Sequence, residues 1–111
     1  MHTPKTKSSG FFDKVYDVVA RIPPGKVMTY GQISNVLGNI CSARYVGYAM
    51  ASAPKLLGLP CHRVVNRLGE MAGGTHFGGS ENQRRILEGE GVEFKLNGRI
   101  DLEVSLYMGP E

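Results

Sequence analysis

Apolar residues recur at helical spacing between Phe11 and Ile22. Phe11 or Phe12, Val15, Val18, Val19 and Ile22 fall on one stripe, with Asp13, Lys14 and Asp17 between them. The pattern predicts an amphipathic helix laid on a core and stopped by "IPPG", because a residue before proline avoids the αR region and Gly25 permits a turn. After a short extended piece, Thr29 and Gln32 have the spacing of a capping box, opening a helix that runs to about Leu37 and ends at Gly38. Ser42 offers a second N-cap, and the helix "ARYVGYAMAS" behind it must stop near Ala53, ahead of Pro54. Two short helices joined by a tight, glycine-containing turn read as a helix-turn-helix, with Arg44 in the first turn of the recognition helix.

Downstream the pattern shortens. "KLLGLP" is too short and too rich in Gly and Pro for a helix, and "HRVVNRLGEMAGG" has a β-branched pair before "RLGE", which suits a small hairpin or wing. "GGTHFGG" reads as a glycine-rich loop. Ser80 and Gln83 repeat the capping-box spacing, for a helix ending between Glu88 and Gly91. "VEFKLNGRIDLEVSLY" predicts two short strands turning at Asn97-Gly98. The fold class expected is α+β, mostly helical: a single winged helix-turn-helix domain with small β-hairpins over residues 11–111, behind a flexible basic tail at residues 1–10.

The 111 residues suffice for one domain, and a hydrophobic content of 41% supports a modest core. No apolar run approaches the roughly 18 residues of a membrane span, and "MHTPKTKSSG" has no apolar stretch of the secretory kind. A cytoplasmic location is therefore expected. In that reducing setting a disulfide between Cys41 and Cys61 is not, and Cys41 reads as a small apolar filler. Charge changes the picture more. The net charge is only +3, yet Val18 to Gly69 contains no Asp or Glu while carrying Arg21, Lys26, Arg44, Lys55, Arg63 and Arg67. Such a segment suits a polyanion, since a carboxylate on that face would repel phosphate; it is equally what an ordinary solvated surface can look like.

The candidate chemistry lies in "LGLPCHRVV", Leu57 to Val65. Sulfur attacks as thiolate, an imidazole can accept the thiol proton directly or through a water, and a carboxylate can hold that imidazole in the useful tautomer. Adjacent strand residues point to opposite sides, so cooperation between Cys61 and His62 requires a turn or a water relay, and Pro60 helps to fix such a geometry. Glu70, near in sequence, and Glu90, at the end of a helix, are the candidate carboxylates. No metal is expected: there is no CxxC, and Cys61, His62 and His76 lack paired-ligand spacing. A Cys-His dipeptide by itself more often packs than catalyses.

"LPCHRVV" resembles the active-site motif of the O6-alkylguanine-DNA alkyltransferases. The likeness covers about residues 11 to 95: "IPPGKVMTYGQIS" is similar to the family's approach to the helix-turn-helix, "SARYVGYAM" to its recognition helix and "NQRRILEGEGVEF" to its closing helix. The resemblance implies a DNA repair protein that flips O6-alkylguanine out of duplex DNA and moves the alkyl group irreversibly to Cys61, a single-turnover methylated-DNA–protein-cysteine S-methyltransferase without a cofactor. It implies Cys61 as acceptor, His62 as base through water, and Glu90 as the carboxylate orienting His62. Arg44 would enter the space left by the flipped base, and Tyr30 would crowd the adjacent phosphate. Gly47 and Arg63 would lie against DNA, and Met50, Pro60 and Val64 around the lesion. The implied partner is double-stranded DNA carrying alkylated guanine, bound by a monomer.

The larger family members carry an additional N-terminal domain, for which these 111 residues are expected to leave no room. The short build and the ending "SLYMGPE" are more like the alkyltransferase-like proteins, which bind alkylated DNA without the cysteine. Their resemblance implies the alternative: a damage sensor that captures the lesion without transfer and recruits excision-repair proteins. Three positions depart from the alkyltransferase pattern. Ala53 stands where an asparagine often braces the active-site turn. Tyr48 replaces a frequently small residue, and either stacks or holds the helix off the groove. His76 and Phe77 stand in "GGTHFGG" in place of a tyrosine before "SGG".

Overall fold

In the computed structural model, residues 10–38, 42–54, 57–71 and 79–108 are described. The helix of the first apolar stripe, α1 (Gly10–Ala20), starts one residue before the expected boundary and buries Val15 and Val19. The chain leaves it with Ile22 still in the core. Residues 1–9 of the expected tail lie outside the described residues, as do Cys41, His76 and Phe77.

Strand β1 (Met28–Thr29) leads directly into α2 (Tyr30–Val36). The Thr29 hydroxyl accepts from the Gln32 amide, and the Gln32 side chain accepts from the Thr29 amide, so this capping box forms as expected. Gly38 follows at φ 76, in the left-handed region that favours glycine. Ser42 caps α3 (Ala43–Ser52) by accepting from the Tyr45 amide, and Ala53 ends it. Helices α2 and α3 pack on each other and on α1, around Ile33, Val46 and Ala49.

Three sequence expectations need correction. Val64–Val65 (β2) does not fold back as a hairpin strand. It pairs in parallel with β1, Met28 opposite Val64 and Thr29 opposite Val65, because Met28, Val64 and Val65 are buried and α2 and α3 provide the crossover that parallel pairing needs. The turn expected at "RLGE" does form beyond it, from Asn66 to Glu70. Second, Ser80 is not an N-cap. Helix α4 (Ser80–Gly89) is capped at Gly79 without a side-chain bond, since Gln83 is buried and donates elsewhere. Third, the Asn97-Gly98 turn carries only a single antiparallel bridge, Phe94 with Ile100. Asp101 then accepts from the Glu103 amide and starts a short helix, α5 (Leu102–Ser105), in place of a second strand.

The chain closes on itself beside β1: Val27 donates to the Ser105 carbonyl at 2.9 Å and accepts from the Tyr107 amide at 2.8 Å. This contact and the β1–β2 pair join two apolar clusters. One is built on α1, α2 and α3. The other holds Val27, Val65, Leu87, Val92 and Ile100. Gly69 sits at φ 81 with the Ile100 backbone so close that a Cβ would lie 2.7 Å from its carbonyl oxygen, which pins the Asn66–Glu70 turn to the second cluster.

Candidate functional site

Cys61, His62 and Arg63 form one 3-10 turn between the two clusters. Pro60 precedes it, and the Arg63 amide donates back to the Pro60 carbonyl at 3.0 Å. In a turn of three residues successive side chains diverge by about 120°, so Cys61 and His62 leave the backbone in different directions without pointing to opposite faces. Cys61 turns toward the first cluster, half-buried near Tyr16, Tyr30 and Leu59. Burial pushes its thiol up from the ordinary value, and a hydrogen bond from its own backbone opposes this in part. The phenols of Tyr16 and Tyr30 are likewise raised, by burial first and then by the charge Cys61 carries as thiolate.

His62 faces α4. Its Nε2 lies 2.9 Å from Oε2 of Glu90, the residue that caps the C-terminus of α4. Arg63 grips the same carboxylate, with Nε donating to Oε1 at 3.0 Å and an Nη to Oε2 at 2.8 Å, while its other Nη donates to the Ile22 carbonyl at 2.8 Å. The bonds from Arg63, foremost, and from His62 hold the Glu90 carboxyl at about 2 against the opposing effect of burial. An ionised carboxylate only accepts, so Nε2 of His62 is the donor in this bond. Of the two candidate carboxylates, Glu90 is therefore the one that reaches the imidazole; Glu70 is spent on Asn66 and Arg99.

Gln83 escaped the sequence reading. Fully buried, it donates from Nε2 to the His62 carbonyl at 2.9 Å, while its Oε1 has no hydrogen-bond partner among the described residues. It ties the turn to α4. The only pattern around Gln83 was the capping-box spacing, which pointed to a different bond.

The helix-turn-helix lies on the other side of the thiol. Tyr30 and Gly31 from α2, Ala43, Arg44 and Gly47 from α3, and Asn66 and Arg67 from the turn after β2 line a cleft of about 400 Å³. The turn is stiffened by Asn66, whose Oδ1 accepts from the Leu68 and Glu70 amides. Tyr30, Arg44 and Gly47 are thus brought together, and Arg67, named from sequence only as part of the basic segment, joins them. Arg63, expected at DNA, is committed to Glu90 and Ile22. Met50 and Val64 are core residues at 7% and 2% exposure, and Pro60 is half-buried at the start of the turn.

Residues 10–92 match the DNA-binding domain of 6-O-methylguanine DNA methyltransferase. The chain is 43% identical over 100 residues to alkyltransferase-like protein 1 of Schizosaccharomyces pombe, covering 88% of this chain and 93% of that one. It is 39% identical to the DNA base-flipping protein of Escherichia coli, covering 87% and 74%. A methylated-DNA–protein-cysteine methyltransferase of Shigella flexneri is 40% identical over 78% of this chain and 49% of its own length, so the chain spans about half of that methyltransferase. The fold is shared with the S. pombe Atl1 structure in complex with damaged DNA containing O6-carboxymethylguanine, at a TM-score of 0.75, 36% identity and coverage of 91% and 97%. It is shared also with the Mycobacterium tuberculosis OGT structure in complex with DNA, at 0.65 and 32%, over 82% and 52%.

Proposed function

The chain belongs to the 6-O-methylguanine DNA methyltransferase family through its DNA-binding domain, and from that membership we propose that it recognises O6-alkylguanine in duplex DNA, flips it out, and takes the alkyl group onto Cys61. The relatives whose names and complexes speak of base flipping, of alkylated guanine and of cysteine methyl transfer support the recognition step. The observation that carries the transfer step is the bond between His62 and an ionised Glu90, set in the same helical turn as Cys61.

In this reading Glu90 fixes the tautomer, and His62 takes the thiol proton through a water as sulfur attacks the alkyl carbon. The bond from that carbon to O6 breaks, a carbon–sulfur bond forms, and the proton ends on the departing guanine. The products are a thioether and an unmodified base, which balances the thiol and alkylated base at the start. Nothing in the step regenerates the thiol, so one molecule repairs one lesion. Arg44, at the mouth of the cleft, fills the gap in the stack, where its planar guanidinium can pair with the orphaned cytosine. Arg63 acts as a positioning residue for Glu90.

A second reading keeps recognition and drops transfer: the protein binds the lesion as a sensor and hands it to excision-repair proteins. The raised thiol favours it, because a buried, protonated sulfur is a poor nucleophile. Mass measurement of the intact protein after incubation with an O6-methylguanine duplex separates the two. The transfer reading expects one added methyl, mapped to the peptide carrying Cys61, and saturation at one equivalent. Tight binding with an unchanged mass establishes the sensor reading instead.

A further inference from the structure

The exposed face of α3 holds more than Arg44. Ala43, Arg44, Tyr45, Tyr48, Ala51 and Ser52 all face solvent, while Val46, Ala49 and Met50 are buried. At 100° per residue, Tyr48 stands only about 40° from Arg44 around the helix axis and one turn further along it, their Cβ atoms about 6 Å apart. Two large rings flank the arginine on this face, Tyr45 at 54% and Tyr48 at 50% exposure, and Tyr48 is the one on the same side of the helix as Arg44.

The ring is not loose. Tyr45 meets Tyr48 edge to face, with centroids 5.6 Å apart at 77°, and Phe11 of α1 meets Tyr45 at 5.8 Å and 72°. Phe11 contacts Phe12, and Phe12 contacts Tyr16, whose hydroxyl donates to the Ala49 carbonyl at 2.8 Å. A ladder of rings thus runs from the buried side of α1 to the middle of the exposed face of α3. Ordering in advance lowers the entropy a side chain loses on binding. Two exposed, mutually braced rings beside a cation make a contiguous aromatic patch, which has the character of a binding contact.

Resting on the reading of α3 as the recognition helix, we infer that Tyr48 is a DNA contact of this protein: its ring packs on the deoxyribose wall of the groove that α3 enters, one helical turn from where Arg44 goes in. The charge around it fits this occupant. Residues 18–69 contain no acid, so α2, α3 and the turn after β2 bring no carboxylate to repel a phosphodiester. Phe11 and Tyr45 are positioning residues that set the ring's angle.

Equilibrium binding of the full chain to an O6-methylguanine duplex, measured across salt concentrations, tests this. Tyr48→Ala is expected to weaken binding five- to tenfold, and Tyr48→Phe to stay within twofold. Tyr45→Ala is expected to fall between them. The slope of log affinity against log salt stays unchanged in Tyr48→Ala, because an apolar contact releases no counterion, whereas Arg44→Ala lowers that slope by about one. Thermal melts of each variant show that the fold is intact. Tyr48→Ala binding as well as or better than wild type overturns the inference and makes the ring a spacer. Failure of the wild-type protein to prefer the alkylated duplex over the undamaged one overturns the lesion reading itself, a separate result.

Discussion

His62 and Glu90, 28 residues apart in sequence, meet through a single bond of 2.9 Å from Nε2 to Oε2. That bond makes Nε2 the donor toward the carboxylate. It exists because the turn after Pro60 and the C-cap of α4 are both pinned by Arg63, which reaches Glu90 and the Ile22 carbonyl at once.

Glu90→Gln keeps the shape and removes the charge. A glutamine Oε1 still accepts from His62 but holds Arg63 weakly, so the variant is expected to lose about 2 kcal/mol at neutral pH, the scale of a charged hydrogen bond. The pH dependence has a definite sign. Glu90 is lowered from 4.5 to about 2 on folding, so its contribution is complete above about pH 4.5 and is lost as pH falls toward about 2. Chemical denaturation at a series of acid pH values should show wild type weakening through that window more than Glu90→Gln. Equal slopes in the two proteins would remove Glu90 as the acid-sensitive group. Alkyl transfer should slow, though less than in His62→Ala, which loses the proton acceptor itself and with it roughly a hundred- to ten-thousand-fold in rate.

The Cys61 thiol is expected to be sluggish in the free protein. Burial raises its pKa, so haloacetamide labelling of the peptide carrying Cys61 should rise with a midpoint above that of the same thiol in denatured protein. A midpoint below the denatured control would mean a thiolate stabilised in the resting state, contrary to the half-buried environment described here. If DNA binding lowers the midpoint, activation belongs to the complex, where the lesion and its waters complete the site.

Most of the helical frame was legible in the sequence, and the reasons are local. Thr29 with Gln32, Ser42, Gly38 and Pro54 act within a few residues of themselves, so spacing alone placed α2 and α3. What failed was decided at a distance. Val64–Val65 has the composition of a hairpin strand, but its partner is chosen by where the crossover of α2 and α3 delivers β1. Ser80 and Gln83 have correct capping spacing, yet the bond Gln83 makes depends on the position of a carbonyl 21 residues away. The pairing of His62 with Glu90 over Glu70 was likewise open on the residues alone, and only the family resemblance pointed to Glu90. Arg63 is the clearest case: nothing in the sequence around it shows the part-buried Glu90 carboxylate that it holds.

Gln83→Leu examines the tie behind the turn. Leucine fills similar volume and removes both the donor to the His62 carbonyl and Oε1, which has no partner among the described residues. The two effects oppose each other, and the net cost to stability is expected to be about 1 kcal/mol or less. Alkyl transfer to Cys61 should slow while affinity for the alkylated duplex stays unchanged, because α2 and α3 are untouched. Gln83→Glu, which keeps the size and offers no donor to that carbonyl unless protonated, should slow transfer as well. A parallel fall in affinity and transfer would assign Gln83 to general packing.

Arg44 lies on α3 at the cleft it shares with Tyr30 and Arg67, so two roles are open to it, a contact to phosphate and a filler for the vacated stack. They separate by substrate. A flipped nucleotide in a duplex leaves an unpaired cytosine and a gap, and the guanidinium that occupies it is lost in Arg44→Ala. The same lesion in single-stranded DNA leaves neither. Arg44→Ala is expected to weaken binding to the O6-methylguanine duplex by about 1–3 kcal/mol. On the single strand the loss should be well under half of that. Arg44→Lys, which retains charge without the planar fork, should recover the single-strand affinity and little of the duplex affinity. Equal losses on both substrates, with full recovery by lysine, would reduce Arg44 to a phosphate contact and leave the gap to be filled by another side chain of the same face.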